Sequence, residues 1–290
     1  MWLGIGSLKV ALSYPTHRSE SLAFAARTTM KKVMDIKTVF STKAEKYAKF
    51  RWDYAASAIE TMINLTQMSV HSTVADIGAG TGILTKHFVG KAQKIYAIEP
   101  NFELRQILTR ELGAFPSVLV MDSCAEATKL PDHSVDVITV AQAIQWFDPE
   151  PARQEMMRIL KDDGWLVLIR NYGANSEPNE AVRRLMTEEY GANLSVVTER
   201  PKEQPSRFYF GNDGFQTFVF PFAFQQSWKE FIGTLTAVSF MPDEDHPLFP
   251  KLETEAKKVF SQYSNHGSWK VEGETELIIG RPSKRTGNAS

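Results

Sequence analysis

Cysteine is almost missing: Cys124 is the only one in 290 residues, so no intrachain disulfide can form and a reducing compartment is the natural setting. No Cys/His spacing matches a structural zinc site, and no metal is expected. An excess of one charge is missing too. The 33 Lys and Arg residues face 34 Asp and Glu, a formal net charge of −1, which creates no global field to gather nucleic acid or an anionic membrane surface. No apolar run approaches the roughly 18–20 residues that a membrane-spanning helix requires. The stretch from Trp2 to Leu12 is short and is interrupted by Lys9. The expectation is a cytoplasmic protein without nucleic-acid partner or membrane span. No internal repeat or low-complexity tract occurs, and oligomeric state is not legible.

What is present suffices for a full core. With 43% hydrophobic residues, the length fits one large α/β domain carrying an insertion better than two independent domains. Residues 1–35 stand apart: Lys9, Arg18, Arg27, Lys31 and Lys32 face only Glu20 and Asp35 among scattered Ser and Thr. That composition fits a targeting leader, and it equally fits an inert leader with translation starting at Met30 or Met34. From 41 to about 65, Tyr47, Phe50, Tyr54, Ala58, Ile59 and Met62 recur at helical spacing behind Ser41 or Thr42 as N-caps, which predicts one amphipathic helix.

Short apolar runs near 73–77, 94–98, 117–121, 135–140 and 165–170 then alternate with helical stretches near 82–89, 102–112 and 150–160. Such alternation specifies a doubly wound, mostly parallel sheet covered on both faces. The core with its N-terminal helix is therefore placed at 36–171. At 172–214 the rhythm breaks into polar stretches around a helix-like segment at 180–190, read as a small helical lid insertion. The same sheet resumes over 215–282. There Phe218, Phe220, Phe222 and Phe224 alternate as in a strand, with Pro221 demanding an edge or a bulge. Ser227 caps a helix running to about Val238, a further helix lies near 252–263, and a last strand covers 270–279. Residues 283–290 read as a loose tail.

The sharpest signal is Val74 to Gly82, an apolar strand running into a turn with Gly78, Gly80 and Gly82. Glycines at alternate positions let the backbone turn tightly and approach a ligand without a Cβ in the way, at the positive end of the expected helix. Glu99 ends the next strand, 21 positions after Gly78, where an acid can accept two hydrogen bonds from a ribose diol. A glycine turn alone is merely a turn. Strand, turn, helix, strand and acid in order are far more specific. The pattern is not the G-x-G-x-x-G of dinucleotide binders, whose third small residue would fall at Ile83.

At these residues the sequence resembles the class I S-adenosylmethionine-dependent methyltransferases, over roughly 36–280. The resemblance implies a seven-stranded Rossmann-like sheet with an edge sixth strand beside an antiparallel seventh, and S-adenosylmethionine as cofactor with S-adenosylhomocysteine as product. In it, Asp76, Gly78, Ala79 and Gly80 wrap the methionine moiety, and Glu99 with Pro100 holds the ribose. Asp122, Ser123, Cys124 and Ala125 lie beside the adenine. Ala141 and Gln142 belong to the fourth strand's exit, and the segment from Leu160 to Trp165 is similar to the turn before the fifth. Within the class, Tyr47 to Arg51 and Gln145-Trp146-Phe147 are similar to the branch that includes trans-aconitate methyltransferase. There are departures, because that branch often has Arg-Pro-x-Tyr-Pro where this chain reads Arg51-Trp52-Asp53-Tyr54-Ala55, and His-Trp where it has Gln145-Trp146.

The expected function is methylation of a small molecule by in-line transfer. Tyr47 and Arg51, one helical turn apart, can close over the cofactor, with the ring near the sulfonium and the guanidinium near the methionine carboxylate. The alternative for them is ordinary packing and a solvated arginine. Gln145 and Trp146 are the candidates for positioning substrate, since ligands sit outside the carboxyl ends of a doubly wound sheet. The alternating phenylalanines read as packing. His71, His87, His133, His246 and His266 show no sequence-visible catalytic partner, and Cys124 is not expected to be a nucleophile. No general base is evident, which favours a carboxylate acceptor, already anionic at neutral pH. The competing readings are an NAD(P)-dependent oxidoreductase and a non-catalytic cofactor-binding member of the same fold.

Overall fold

The computed structural model describes residues 43–190, 206–211, 214–238 and 240–282, all within the unit Phe40–Ser290. The expected leader or flexible segment at 1–35, the caps Ser41 and Thr42, residues 191–205 and 212–213 of the expected lid and the tail 283–290 lie outside the described residues.

Seven strands form one sheet: β1 (Thr73–Ile77), β2 (Lys94–Ile98), β3 (Val118–Met121), β4 (Val135–Ala141), β5 (Leu160–Gly173), β6 (Phe215–Gln226) and β7 (Trp269–Gly280). Their order is β3-β2-β1-β4-β5-β7-β6. The first five pair in parallel and β7 runs antiparallel to both β5 and β6. Alternate strand residues feed opposite layers, as the two-residue period requires. Val74, Val137 and Leu277 pack with Ile59 and Met62 on one face. Ile77, Ile138 and Leu168 pack with Met156, Tyr209 and Phe210 on the other. β1 lies between β2 and β4, so the chain reverses direction along the sheet at the carboxyl end of β1. A ligand crevice belongs at such a switch point.

The helix expected over 41–65 is two helices, α1 (Ala44–Phe50) and α2 (Ala56–Thr66). Helical periodicity continues through the break, but tertiary contacts pull the link out of it. Arg51 is extended at φ −70°, ψ 136°. The backbone N–H of Ala55 donates to Thr275 Oγ1 at 2.9 Å, Asn171 Nδ2 donates to the Asp53 carbonyl at 3.0 Å, and Lys86 and His87 both hold the Asp53 carboxylate at 2.8 Å. Hydrogen bonds from these two side chains outweigh the burial that would raise this carboxyl and bring its pKa down to about 2.

The helix expected over 82–89 is only a 3-10 turn at Thr85–Phe88, because Val89 is extended and Gly90 reverses the chain at φ +74°. Helix α3 (Phe102–Leu112) starts where the Asn101 side chain accepts from the Leu104 N–H at 2.9 Å, and α4 spans Pro149–Ile159. The segment 160–164, expected as a turn, already belongs to β5, with the register against β4 shifting between Val135 and Val137. After β5 come α5 (Glu177–Arg184), which continues as a π-helical turn at Leu185–Glu189, and α6 (Ser206–Phe210). Ser227 and Glu230 form a reciprocal capping box on α7 (Trp228–Thr236), and α8 spans Phe249–Tyr263. Pro221 sits on the edge strand β6 opposite Glu274, in unbroken register. The missing N–H therefore costs no ladder bond on the paired side.

Helix α1 is seated on α7. Lys43 Nζ donates to the carbonyls of Val238, at 3.0 Å, and Met241, and burial lowers its pKa to about 8. Phe50 lies against Gly233, where an added Cβ would meet the Phe50 ring at 2.6 Å. Gly233→Val should therefore lift α1 from its seat and destabilise the fold by about 1–3 kcal/mol. Thermal unfolding checks this, and an unchanged midpoint contradicts the seat.

Candidate active site

The crevice at the end of β1 is built by the glycine turn. Gly78, Gly80 and Gly82 have φ of +74°, +58° and +90°, the left-handed region that disfavours side chains. The three differ in what surrounds them. A Cβ on Gly78 would meet Ala143 Cβ at 2.6 Å and one on Gly82 would meet Leu108 Cδ1 at 2.7 Å, whereas at Gly80 no atom of the described residues lies within 4 Å. Gly78 and Gly82 are thus glycine for packing, and Gly80 is glycine beside open space. The turn is tied to β2, since the N–H groups of Gly78 and Ala79 both donate to the Ile98 carbonyl, at 2.9 and 3.0 Å.

Glu99 closes this arrangement from the β2 side. Its Oε2 accepts from the Gly80 N–H at 2.9 Å and its Oε1 from the Asn101 N–H at 2.8 Å. Each oxygen keeps a lone pair for another donor. Burial raises its pKa, against the two backbone hydrogen bonds and the Arg105 charge that lower it. Arg105, on α3, donates to the Glu99 carbonyl at 2.8 Å and pairs with Asp122 at 3.0 Å. It thereby fixes the exits of β2 and β3 together. Pro100, half-buried, lies between Glu99 and Asn101.

Asp76 is fully buried, with Oδ2 accepting from Thr85 Oγ1 at 2.6 Å and Oδ1 from Thr139 Oγ1 at 2.9 Å. It braces β1, the 3-10 turn and β4 beneath the glycines. Burial pushes its pKa up to about 6, in spite of both hydroxyls. The native state then holds this proton up to a higher pH than the unfolded chain, so its contribution to stability falls as pH rises from about 4 to about 6. Asp76→Asn should escape that loss. Relative to the unaltered chain it should gain about 3 kcal/mol between acidic and neutral pH. Urea unfolding across pH reads the difference, and parallel curves for the two proteins would contradict it.

At the exit of β3, Asp122 is exposed, Ser123 and Ala125 are buried and Cys124 is half-buried. Burial, with Glu126 nearby, raises the Cys124 thiol pKa, the opposite of the depression that activates a reactive cysteine. Ser123 Oγ and Thr81 Oγ1 are buried with no hydrogen-bond partner among the described residues. Buried hydroxyls are normally paired. Two unpaired hydroxyls, on the glycine turn and on the β3 exit, fit a polar ligand that crosses both. Together with the open space at Gly80 and the spare lone pairs on Glu99, they suit a nucleoside with a free ribose diol.

At the exit of β4, Ala141 is followed by Gln142, a left-handed residue at φ +55°. Its Nε2 donates to the Asn171 carbonyl at 3.2 Å, and Gln145 Nε2 donates to the Gln142 carbonyl at 2.8 Å. Gln145 lines a minor depression of about 30 Å³ with Arg170, Ser206 and Tyr209. Trp146 packs against the core beside Phe147. The larger cavity, about 190 Å³, lies elsewhere. Tyr47, Arg51 and Trp52 line it from the α1–α2 region, Asn171 from β5, and Met186 and Leu235 are among its apolar walls. The Arg51 guanidinium stacks over the Tyr47 ring at 5.5 Å. The structure thus joins Tyr47 and Arg51 in one cavity and sets Gln145 in another. Sequence reasoning did not single out Thr81, Arg105 or Asn171, whose roles depend on contacts across the sheet. Trp52 was visible only as a departure from the branch's proline.

Comparison with known proteins converges on the same region. The methyltransferase domain family matches residues 75–168, from β1 into β5. An uncharacterized methyltransferase of Schizosaccharomyces pombe is 34% identical over 140 residues, 48% of this chain and 55% of that protein. One from Mycobacterium tuberculosis strain H37Rv is 33% identical over 137 residues, 47% of this chain and 54% of that protein. The chain therefore spans about half the length of the curated relatives it matches. A solved structure from Anaeromyxobacter dehalogenans, described as a candidate type II methyltransferase, superposes with a TM-score of 0.57 at 19% identity. It covers 81% of this chain and 100% of that one, a likeness of fold.

Proposed function

We propose that the chain is an S-adenosylmethionine-dependent methyltransferase acting on a small molecule, with a carboxylate as acceptor; the match to a methyltransferase domain family over residues 75–168 and the Rossmann-like sheet support the reading. The observation that carries the reading is the pairing of open space at Gly80 with Glu99, whose carboxylate holds the Gly80 N–H and retains capacity for a diol. In this reading Gly78, Ala79 and Gly80 line the methionine end and Glu99 with Pro100 the ribose. Asp122 to Ala125 flank the adenine, with the Ser123 hydroxyl supplying a polar contact, and Ala141 and Gln142 close the far side. Asp76 acts as a positioning residue, through Thr85 and Thr139. Tyr47 and Arg51 cover the methionine carboxylate from α1.

Bound there, the cofactor supplies an electrophilic methyl group, which an acceptor oxygen takes in line as the carbon–sulfur electron pair returns to sulfur. The chain's task is then to align the acceptor and exclude water. Among the described residues, the lining of the 190 Å³ cavity includes no Asp, Glu or His. That supports an acceptor needing no proton removed, and a carboxylate meets this condition. Val182 and Met186 reach the cavity from α5 and the turn after it, which supports a covering role for the segment that follows β5.

The test is transfer of a labelled methyl group from S-adenosylmethionine to a panel of small carboxylic acids. Base-labile methyl esters should form with one equivalent of S-adenosylhomocysteine. Tight cofactor binding with no transfer to any acid, alcohol or amine would instead favour a non-catalytic role.

A further inference from the structure

Helix α1 is seven residues long, and Ala44 is its one buried residue. A helix so short is marginal in isolation, so its place is set by what holds it. It spans from α3 to α7. On the α3 side Ala44, Tyr47 and Ala48 pack with Leu104 and Ile107, and Glu45 pairs with Arg110 at 2.7 Å. On the α7 side Lys46 pairs with Glu244, and the Phe50 ring covers Gly233. Both ion pairs are exposed, and exposed pairs contribute little.

Lys43, at the N-terminal end of α1, is different. It is only 7% exposed, and its ammonium donates to the carbonyls of Val238 and Met241 in the turn after α7, the end where the helix dipole favours a cation. Asp243 adds a favourable charge there and Lys46 an opposing one. Burying an ammonium is costly. A methionine would fill the same space without that cost, but it would not be tied to two fixed carbonyls. The consequence lies one helical turn on. The Tyr47 N–H donates to the Lys43 carbonyl at 2.8 Å, so the start of α1 and the placement of Tyr47 are set together.

We propose that Lys43 is a positioning residue, whose ammonium anchors α1 to the turn after α7 and thereby keeps Tyr47 and Arg51 placed over the methionine end of the cofactor. The part that concerns the cofactor rests on the methyl-transfer reading. The anchor itself depends only on the contacts of α1. Loss of the ammonium leaves the nucleoside contacts in place, since the glycine turn and the exit of β2 fix Gly80 and Glu99. It loosens only the cover of the amino-acid end.

The experiment compares the full chain with Lys43→Met and, as a control on the same helix, Lys46→Met. Hydrogen–deuterium exchange is followed in peptides covering 44–51 and 73–98. Calorimetry measures the affinity for S-adenosylhomocysteine and for 5′-methylthioadenosine, which keeps the nucleoside and the thioether and lacks the amino-acid end. Lys43→Met should speed exchange across α1 and leave β1 and β2 unchanged. It should bind S-adenosylhomocysteine about tenfold more weakly, with 5′-methylthioadenosine unaffected. Lys46→Met should keep both affinities within about twofold. Unchanged exchange in α1, an equal loss of both ligands, or a chain unfolded as a whole would make Lys43 an ordinary part of the packing and overturn the proposal. The same loss in Lys46→Met overturns it too. If the unaltered chain binds neither ligand while exchange in α1 still rises in Lys43→Met, the cofactor reading falls and the anchor stands.

Discussion

Gly80→Val is expected to abolish S-adenosylhomocysteine binding while leaving a folded protein. Folding and binding respond to different features of this position. The fold half follows because no atom of the described residues lies within 4 Å of an added Cβ. The cost is then confined to holding a β-branched residue at φ +58°, about 1–2 kcal/mol. The binding half follows because that same space is where a ligand's approach to the backbone must occur. Two methyl groups there fill the space beside the Gly80 N–H and Glu99 Oε2 that a ligand would occupy. A loss of at least about a hundredfold in affinity corresponds to the removal of close packing and one charge-assisted contact together. Calorimetric titration beside a thermal melt separates the effects: a folded variant with unchanged affinity removes the turn from the site.

Glu99→Gln is expected to weaken binding by about ten- to a hundredfold, the loss of a charge-assisted acceptor to a diol. The amide end can serve only one of the two N–H groups that Glu99 now holds, so either Gly80 or Asn101 loses its partner. The pH dependence adds a second signature. Because burial raises the Glu99 pKa, the carboxylate takes up its proton at a higher pH than an exposed glutamate. The ionised form is the one that accepts from two hydroxyls, so affinity should fall as pH is lowered, and the fall should set in at a higher pH than an exposed glutamate would give. Glu99→Gln should flatten that dependence. A variant that keeps the full pH dependence would assign it to another group.

These expectations were largely legible in the sequence where local chemistry decides structure. The strand into Gly78, Gly80 and Gly82 and the acid at Glu99 are short-range signals, and the alternation of the first five strands specified the parallel half of the sheet. Pro221 announced an edge strand, and Ser227 with Glu230 announced a helix start. What was not legible depends on contacts distant in sequence. The break between α1 and α2 comes from Thr275, Asn171, Lys86 and His87 acting on Asp53 and Ala55, none of which interrupts the helical period of the segment. The early start of β5 at Leu160 needs the β4 register.

The site divides in the same way. Glu99, Gly80 and Ser123 could be named from motif positions, whereas Arg105 acts across two strand exits and Thr81 stands out only as an unpaired buried hydroxyl. Gln145 and Trp146, read as substrate contacts from their place after β4, are not among the residues lining the cavity that holds Tyr47 and Arg51. The stacking of Arg51 on Tyr47 and the seat of α1 on Gly233 explain why the larger opening forms there.

The central claim is that the glycine turn and Glu99 bind S-adenosylmethionine. Calorimetric titration of the unaltered chain with S-adenosylmethionine, S-adenosylhomocysteine and NADH tests it most directly. The account predicts heat from the first two at micromolar affinity and none from NADH; binding of NADH alone, or of none of the three, would contradict it.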